Sequence, residues 1–399
     1  MISFAEAYQL TLENIHPLPE EQVSLLEATG RVVSRTLEAS VWSPSADSSL
    51  KDGFAVRSAD VRQAAPGQEV RLEIVGSVAA GGDWEGTLKN GQVVRILSGA
   101  PIPDGAQAVL AEEFTRENGD ELIAFNTAEP GRNVLPKGED VAKGQKLVEA
   151  GEVLRPTRVG YLASAGIAEV PVIRNPKVGI IATGDEVVAP GKPLGEGKLY
   201  ASNLVTLASW CRRYGFSVET DVLPDEREAL QEGLGRALHA YDAVLTSGGA
   251  WKGDRDLVAE VLTGLGWEKV FHRVKMGPGK AVGLGMVGSK PVFCLPGGPP
   301  SNHMAFLQLG LPGLLRLAGR KEPELPTTPV VLQQDVRGQV DWTQFIHGQI
   351  EQTPEKILFT PMKLKSRLQM MASTEAVIKI PEGTRVIPRG TSVPAYLLI

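Results

Sequence analysis

The sequence predicts a multidomain protein of the α/β plus β class, built around a central doubly wound α/β domain. Between residues 176 and 318, fully apolar runs such as residues 178–182 alternate with helical stretches, as expected for parallel strands buried on both faces. Residues 41–150 contain short apolar runs separated by Gly and Pro, which is typical of β structure. Further strand-like runs after Pro323 predict a small C-terminal β-barrel.

These patterns divide the chain into four predicted domains. Residues 1–40 carry two amphipathic patterns that predict helices, one beginning at Glu6 and one at Glu20. Pro323, Pro326 and Pro329 predict a stiff linker before the last domain. The predicted domains are an elongated N-terminal helical and linker domain (1–40 and 130–172), a β-rich inserted domain (41–129), the α/β domain (173–322) and the β-barrel (323–399).

Within the α/β domain, apolar periodicity and turn residues predict the order of the elements. Ser202 and Asn203 are predicted to cap a helix that Gly215 ends, since Ser and Asn favour the start of a helix and Gly its end. The predicted strands are residues 178–182, 216–223, 242–246, 269–274, 281–286 and 292–295, and the predicted helices are residues 202–214, 225–240, 256–265 and 301–317.

The composition excludes several classes of protein. The chain has 399 residues and a net charge of −6, which argues against a nucleic-acid binder that neutralises phosphates. It has no apolar stretch of the roughly 20 residues that a membrane span requires, and no secretory signal is evident. Cys211 and Cys294 form neither a disulfide framework nor a zinc motif. We therefore expect a cytoplasmic protein that binds neither nucleic acid nor membrane.

Glycine-rich loops follow two of the predicted strands. In an open α/β sheet the carboxyl ends of the strands face one crevice, where ligands bind. The Ser247-Gly248-Gly249 and Pro296-Gly297-Gly298 loops each precede a helix, and backbone N–H groups in such loops bind phosphate. Taken alone, a loop of this kind is more often a tight structural turn. Two of them on one sheet edge favour a phosphorylated ligand.

Carboxylates are predicted at the same edge of the sheet. Asp185 and Glu186 follow a buried strand, while Asp225 and Asp256 stand where helices begin. Oxygen ligands from carboxylates, together with water and phosphate, suit Mg²⁺. Glu186, Asp225 and Asp256 are therefore the predicted metal ligands, although Asp is also a favoured helix cap.

Two cations could neutralise a bound phosphate. Arg273 and Lys280 lie near the ends of predicted strands, where a solvated surface charge is an equally ordinary explanation. Trp251, in the loop after Ser247, is either a packing anchor or a flat surface for a ring-bearing ligand. The five histidines show no metal-binding spacing, which argues against a histidine metal site.

The motifs resemble, in order, those of the MoeA family, the molybdopterin molybdotransferases that include the C-terminal domain of gephyrin. The resemblance covers essentially the whole chain. It is carried by residues 52–56 (DGFAV), 95–103 (RILSGAPIP), 131–134 (GRNV), 138–140 (GED), 183–186 (TGDE), 247–249 (SGG) with Gly253 and Asp256, and 278–280 (PGK).

The resemblance implies both an activity and an assembly. The activity is insertion of molybdate into adenylylated molybdopterin with release of AMP, assisted by Mg²⁺. The assembly is a homodimer whose active site is shared between subunits, in contact with the molybdopterin adenylyltransferase. The α/β domain would be similar to that of MogA.

The resemblance also assigns roles to single residues. Asp52 and Ser98 would come from the partner subunit, and Ser366 would lie near the cleft. Asp52, Asp225 and Asp256 would be catalytic. The substrate would contact Ser98, Ser247, Gly248, Gly249, Arg273, Lys280, Pro296, Gly297, Ser301 and Ser366.

The chain departs from the family pattern at several of these motifs. Leu50-Lys51 replaces Ala-Met, Gly277 stands in place of a basic residue, and Gly298 in place of the Asn of L-P-G-N-P-V-S. His347 stands where Arg is frequent. Two alternatives to an active molybdotransferase therefore stay open: a catalytically altered paralogue that binds molybdopterin or acts as a scaffold, and a different nucleotide or pterin transferase.

Overall fold

The structure, a computed structural model of the chain, describes residues 1–248, 257–362 and 367–398. Buried apolar side chains form separate clusters in the N-terminal region, on the β-rich sheet, on both faces of the α/β sheet and inside the C-terminal barrel. The predicted combination of α/β and β structure is confirmed. The predicted domain boundaries stay a prediction. No helix in the described ranges is long and apolar enough to cross a membrane.

The first helix, Phe4–Asn14, packs against the α/β domain. Ser3 caps it, because its side chain accepts a hydrogen bond from the Glu6 N–H at 3.1 Å. Phe4 and Ala7 are buried in the cluster that covers one face of the α/β sheet, and the Phe4 ring meets Phe345 edge-on, with ring centres 5.2 Å apart. The first helix is therefore packed against elements that lie far from it in the sequence, in the α/β domain and the barrel.

The second predicted N-terminal helix is wrong. Glu20–Ser24 is a strand that pairs antiparallel with Glu169–Ile173. Pro17 and Pro19 favour extended backbone just before it, and its side chains alternate between exposed and partly buried positions. The other elements of this region are Leu25–Glu27 (3₁₀), Leu37–Glu38 paired with Lys146–Val148, Ser48–Ser49 paired with Val134–Leu135, and the helix Pro156–Ser164.

The β-rich region contains a six-stranded sheet with a cluster of apolar residues on each side. All neighbouring strands are antiparallel except Val70–Val78 and Gln92–Ile96, which are parallel. The strand order is Ala108–Ala111, Gly53–Val56, Gln92–Ile96, Val70–Val78, Glu121–Ala124 and Thr115–Asn118, with a 3₁₀ turn at Glu112–Phe114.

The α/β sheet also has six strands, which we label β1 to β6 in chain order. Its spatial order is β2-β1-β3-β6-β5-β4, and β2, β1, β3 and β6 are parallel. The chain connections that leave the carboxyl ends of β1 and β3 run to opposite sides. A topological switch point therefore lies between these two strand ends. The strands are Lys177–Thr183 (β1), Ser217–Leu223 (β2), Ala243–Ser247 (β3), Glu268–His272 (β4), Gly283–Val287 (β5) and Lys290–Leu295 (β6).

Helices cover both faces of this sheet. A small parallel ribbon also follows β1, formed by Val187–Val188 and Leu199–Tyr200. The helices are Ser202–Arg213, Arg227–Ala240, Leu257–Gly264 and a continuous final segment of Pro299–Ala305, the π-helical turn Phe306–Gly310 and Leu311–Leu317.

The predicted strand at residues 269–274 is two strands in different sheets. β4 ends at His272, and Arg273 takes a left-handed backbone conformation with φ of 66°. The chain then continues as the strand Val274–Gly277. The first half of this strand pairs with Ile2–Ser3, and the second half pairs with the start of the barrel strand Thr343–Gln352. Arg273 thus marks the point where the chain leaves the α/β sheet.

A closed barrel of five strands follows, labelled β7 to β11 in chain order. It closes because Thr343–Gln352 pairs with both Ile357–Pro361 and Ala376–Ile380. Pro329 is part of the first strand rather than of a linker. The strands are Thr327–Leu332 (β7), Thr343–Gln352 (β8), Ile357–Pro361 (β9), Ala376–Ile380 (β10) and Ser392–Leu397 (β11), accompanied by the pair Val336–Arg337 and Val386–Ile387 and the helix Arg367–Ala372.

The barrel core depends on one aromatic side chain. Phe359 is fully buried, and its ring lies so close to Gly348 that a Cβ there would be 2.2 Å away. Phe359→Ala should lower the free energy of unfolding by about 3–5 kcal/mol, through lost burial and the cavity left behind. Val386→Ala, at an exposed position of the same domain, should change it by less than about 0.5 kcal/mol. Urea unfolding of the two variants measures the difference, and equal effects would contradict the assignment.

Candidate functional site

The loops after β1, β3 and β6 approach each other closely at the switch point. Gly248 follows β3 with φ of 101°, and a Cβ on it would lie 2.4 Å from the backbone oxygen of Thr183 at the end of β1. A Cβ on Gly297, after β6, would lie 3.6 Å from the Gly248 Cα. Glycine at position 248 is therefore required by the approach of two backbones. We call this group of loops the crevice.

A hydrogen-bond network joins these loops through Ser247, the last residue of β3. The amide nitrogens of Asn203 and Asn302 lie 3.2 Å and 3.0 Å from its Oγ. Asn203 also donates to the backbone oxygen of Gly297, and Asn302 to that of Pro296. The prediction that Ser202 and Asn203 cap this helix is wrong, because both lie inside the helix, Ala201 holds the cap position and no side-chain cap bond forms.

Three of the predicted acidic residues, Asp185, Glu186 and Asp225, are described by the structure and are exposed. The Asp185 carboxylate accepts a hydrogen bond from the Asp225 N–H at 3.2 Å, so the loops after β1 and β2 adjoin. Asp225 does not cap the following helix, which begins at Arg227 with Glu226 at the cap position. The Glu186 carboxylate folds back over Gly184. Asp185 and Asp225 therefore lie next to each other at the carboxyl edge of the sheet.

The prediction that Glu186, Asp225 and Asp256 bind a metal stays a prediction. Asp185 and Asp225 are neighbours and offer only oxygen ligands, as Mg²⁺ prefers. Within the ranges that the structure describes, no group of three His, Cys, Asp or Glu side chains is close enough to hold a metal ion. Gly249, Trp251, Asp256 and Ser366 lie outside the described residues.

A cavity of about 500 Å³ adjoins the crevice, between the α/β domain and the barrel. Pro296 and Ser301 line it on the α/β side, and the Lys280 ammonium lies 5.2 Å from the ring centre of Trp342 on the barrel side. Arg273 lies at the end of β4, on the same sheet edge. We call this space the junction cavity. Sequence reasoning missed Trp342, because nothing in its local sequence indicates that it faces Lys280.

Two buried histidines lie at the junction between the domains. His347 lines the junction cavity, and its Nε2 has no hydrogen-bond partner among the described residues. His303 accepts a hydrogen bond at Nε2 from the Trp210 indole, at 3.0 Å. Burial lowers the pKa of His347 to about 4. Burial, and then the charge of His347, lower the pKa of His303 to about 4. Both rings are therefore neutral at neutral pH.

Asp52 and Ser98 form a second exposed site on the β-rich region. The Asp52 carboxylate accepts a hydrogen bond from the Ser98 N–H at 2.7 Å. Leu50 and Leu97 flank the pair and expose 53% and 42% of their surface. Among the described residues, the hydrogen bonds of Asp52 and Ser98 stay within the β-rich region and do not join this pair to the crevice.

Comparisons with known proteins agree with this architecture. Residues 2–166 match the model of the MoeA N-terminal region (domain I and II), and residues 179–316 match a probable molybdopterin-binding domain. The chain is 34% identical over 330 residues to the molybdopterin molybdenumtransferase of Haemophilus influenzae, covering 82% of this chain and 80% of that protein. The chain belongs to the MoeA family.

Other MoeA proteins match over nearly the full length. The molybdopterin molybdenumtransferase of Bacillus subtilis is 31% identical, with 95% of this chain and 90% of that protein covered. The crystal structure of the MoeA protein from Pyrococcus horikoshii OT3 superimposes with a TM-score of 0.85 at 29% identity, covering 100% of both chains. The predicted family and fold class are thereby confirmed.

The close approach of Gly248 to Thr183 can be tested by adding one methyl group. Gly248→Ala should destabilise the protein by about 1–2 kcal/mol through its positive φ, and by a further ~1–3 kcal/mol through the clash with the Thr183 oxygen. Gly191→Ala is the matched control, because Gly191 has φ of 89° and open space around it. Thermal unfolding compares the stability of the two variants. An equal loss of stability in both would contradict a steric constraint at Gly248.

The buried histidines predict a dependence of stability on pH. Their pKa values are about 4 in the folded protein, against about 6.5 when unfolded, so the unfolded chain binds more protons between these values. The free energy of unfolding should therefore fall as pH drops from about 6.5 to 4, by roughly 3 kcal/mol per histidine at most. His347→Gln should reduce this slope in urea unfolding, while exposed His239→Gln should not. A slope unchanged by His347→Gln would contradict the prediction.

Proposed function

We propose that this chain inserts molybdate into adenylylated molybdopterin and releases AMP. The observation that carries the proposal is the crevice at the switch point, where the loops after β1, β3 and β6 meet at backbone distance, with the Asp185–Asp225 contact on the same edge of the sheet. Its relatives of 27–34% identity are named molybdopterin molybdenumtransferase. The crevice and the junction cavity together provide polar, acidic and cationic groups for a phosphorylated ligand.

Each part of the site has a distinct role in this proposal. Ser247, Gly248 and Gly297 bind the ligand in the crevice, and Lys280, Ser301 and Pro296 contact it in the adjoining cavity. Arg273 adds positive charge at the same edge. Gly249 and Ser366, outside the described residues, complete the proposed set of ligand contacts. The cations offset the charge of the substrate phosphates, which is the main requirement for binding an anion in a partly enclosed site.

The acidic residues serve the cleavage of the phosphoanhydride. An oxygen nucleophile, from water or molybdate, forms a bond to the pterin-bound phosphorus. The bond from that phosphorus to the bridging oxygen breaks, and AMP leaves with the bridging oxygen and the electron pair of that bond. Asp225, with Glu186 and with Asp256 outside the described residues, would hold Mg²⁺. When bound there, the ion would polarise the phosphate oxygens. Asp52 would position the attacking group.

We propose further that the active site is shared between two subunits. Asp52 and Ser98 lie together on the β-rich region, in a loop pair framed by exposed Leu50 and Leu97. Exposed apolar side chains around a polar pair are typical of a surface covered in an assembly. In a homodimer this face of one subunit would cover the crevice of the other. The substrate would arrive from the molybdopterin adenylyltransferase, in the cytoplasm.

A second candidate function is that of a molybdopterin-binding protein without turnover. It is favoured by the neutral state of His347, which offers the junction cavity no permanent charge. Gly277 also adds no side chain there. Tight binding of adenylylated molybdopterin without AMP release would support this candidate, and binding of an unrelated nucleotide instead would support a different transferase.

The proposed activity predicts AMP release from adenylylated molybdopterin in the presence of molybdate and Mg²⁺. Asp225→Asn should lower the rate at least about 100-fold, because it removes a carboxylate from the acidic edge. Glu228→Gln, an exposed change in the first turn of the following helix, should leave the rate within about twofold. Wild-type protein that releases no more AMP than heat-killed protein would refute the proposal.

The shared site predicts complementation between two inactive variants. Mixed dimers of Asp52→Asn and Asp225→Asn subunits contain one intact site, formed by Asp52 of one subunit and Asp225 of the other. Random mixing should therefore restore about a quarter of the wild-type rate of AMP release. Mixing two differently tagged preparations of Asp225→Asn is the control. A site confined to one subunit would show no restoration.

A further inference from the structure

The side chain of Ser247 receives two hydrogen bonds at one atom. The amide nitrogen of Asn203 lies 3.2 Å from its Oγ, and that of Asn302 lies 3.0 Å away. Ser247 and Asn302 expose only 5% and 1% of their surface, so neither relies on bulk water for these contacts. Two carboxamides from helices on the same side of the sheet thus converge on one hydroxyl group.

The orientation of both carboxamides is fixed by the backbone. Asn203 also donates to the Gly297 oxygen at 2.8 Å, and Asn302 to the Pro296 oxygen at 2.9 Å. Carbonyl oxygens can only accept hydrogen bonds, so the NH₂ group of each side chain must be the group that faces them. The second hydrogen of each NH₂ group is then directed at Ser247.

These contacts determine what Ser247 can offer to a ligand. A hydroxyl group has two lone pairs and one hydrogen. Asn203 and Asn302 occupy both lone pairs, which leaves the hydrogen as the remaining binding group. Within residues 1–248, 257–362 and 367–398, no atom accepts a hydrogen bond from the Ser247 hydroxyl. Ser247 is therefore a donor at the floor of the crevice.

We infer that Asn203 and Asn302 are positioning residues that make Ser247 an obligatory hydrogen-bond donor to an acceptor atom of the substrate. The inference rests on the proposed function. In that function the substrate is a phosphorylated pterin, which carries many phosphate and carbonyl oxygens. A ligand group that can only donate would leave the Ser247 hydrogen unpaired in a buried place. The network therefore selects for acceptors at this point of the crevice.

Asn302 makes this contact from a position four residues after the Asn of the L-P-G-N-P-V-S motif. Gly298 has no side chain, although the motif that this segment resembles has Asn there. Asn302 lies one helical turn further, and its N–H donates to the Gly298 oxygen at 2.8 Å. Residues four apart lie on the same face of a helix. The carboxamide of Asn302 therefore reaches the crevice from the turn that follows Gly298.

The test is a double-mutant cycle on ligand binding, read from the pterin fluorescence of adenylylated molybdopterin. Ser247→Ala should weaken binding about tenfold, and Asn302→Leu by about three- to tenfold, since each removes one directed hydrogen bond. In the Ser247→Ala background, Asn302→Leu should weaken binding less than about twofold, because the group that it positions is already gone. Ser247→Thr keeps the hydroxyl and should bind within about threefold of wild type.

Controls separate positioning from stability. Asn14→Leu removes a carboxamide-to-carbonyl bond far from the crevice and should not change binding. If Asn302→Leu does not fold, Asn203→Leu gives the same cycle from the other side of Ser247. Additive losses in the double variant, or unchanged binding in the single ones, would overturn the inference. Binding without AMP release would refute only the proposed function, whereas no binding by the wild type would overturn both.

Discussion

The site depends on the approach of two backbones at the point where the sheet topology reverses. β1 and β3 are adjacent parallel strands, and the loops that leave them diverge to helices on opposite faces. Gly248 allows the loop after β3 to lie against the Thr183 oxygen, and that contact brings Ser247 within reach of Asn203 and Asn302. A side chain at position 248 would force the loops apart. The polar network, the acidic edge and the entrance to the junction cavity are all arranged around this contact.

The central part of the fold could be predicted from the sequence because its physical causes are local. A strand covered on both faces must be apolar throughout, and residues 178–182 show this directly. The parallel order of such strands then places their loops on one edge. The local pattern at Glu20–Ser24 predicts a helix, whereas the segment is a strand because of pairing with Glu169–Ile173, far along the chain. The break at Arg273 was missed for the same reason: the strand after it is completed by the barrel.

The candidate site was predictable in outline but not in its internal contacts. The sequence places glycine-rich loops and acids together at one edge of the sheet, and Asp185 and Asp225 do adjoin there. Asn203 looked like a helix cap, because a capping residue and a buried carboxamide donor have the same local sequence. Asn302 and Trp342 gave no signal, since their roles depend on loops far away in the chain. Only the folded arrangement shows which acceptor a carboxamide meets.

The turn at Arg273 has a mechanical consequence. Arg273 and Lys280 stand at the two ends of a segment whose middle, Val274–Gly277, is hydrogen-bonded between the N-terminal strand and the barrel. The two cations are therefore anchored to the barrel side as well as to the α/β sheet. A rotation of the barrel relative to the sheet would have to carry this segment with it, and both positive charges would shift together. The position of the barrel therefore sets the position of both positive charges relative to the site.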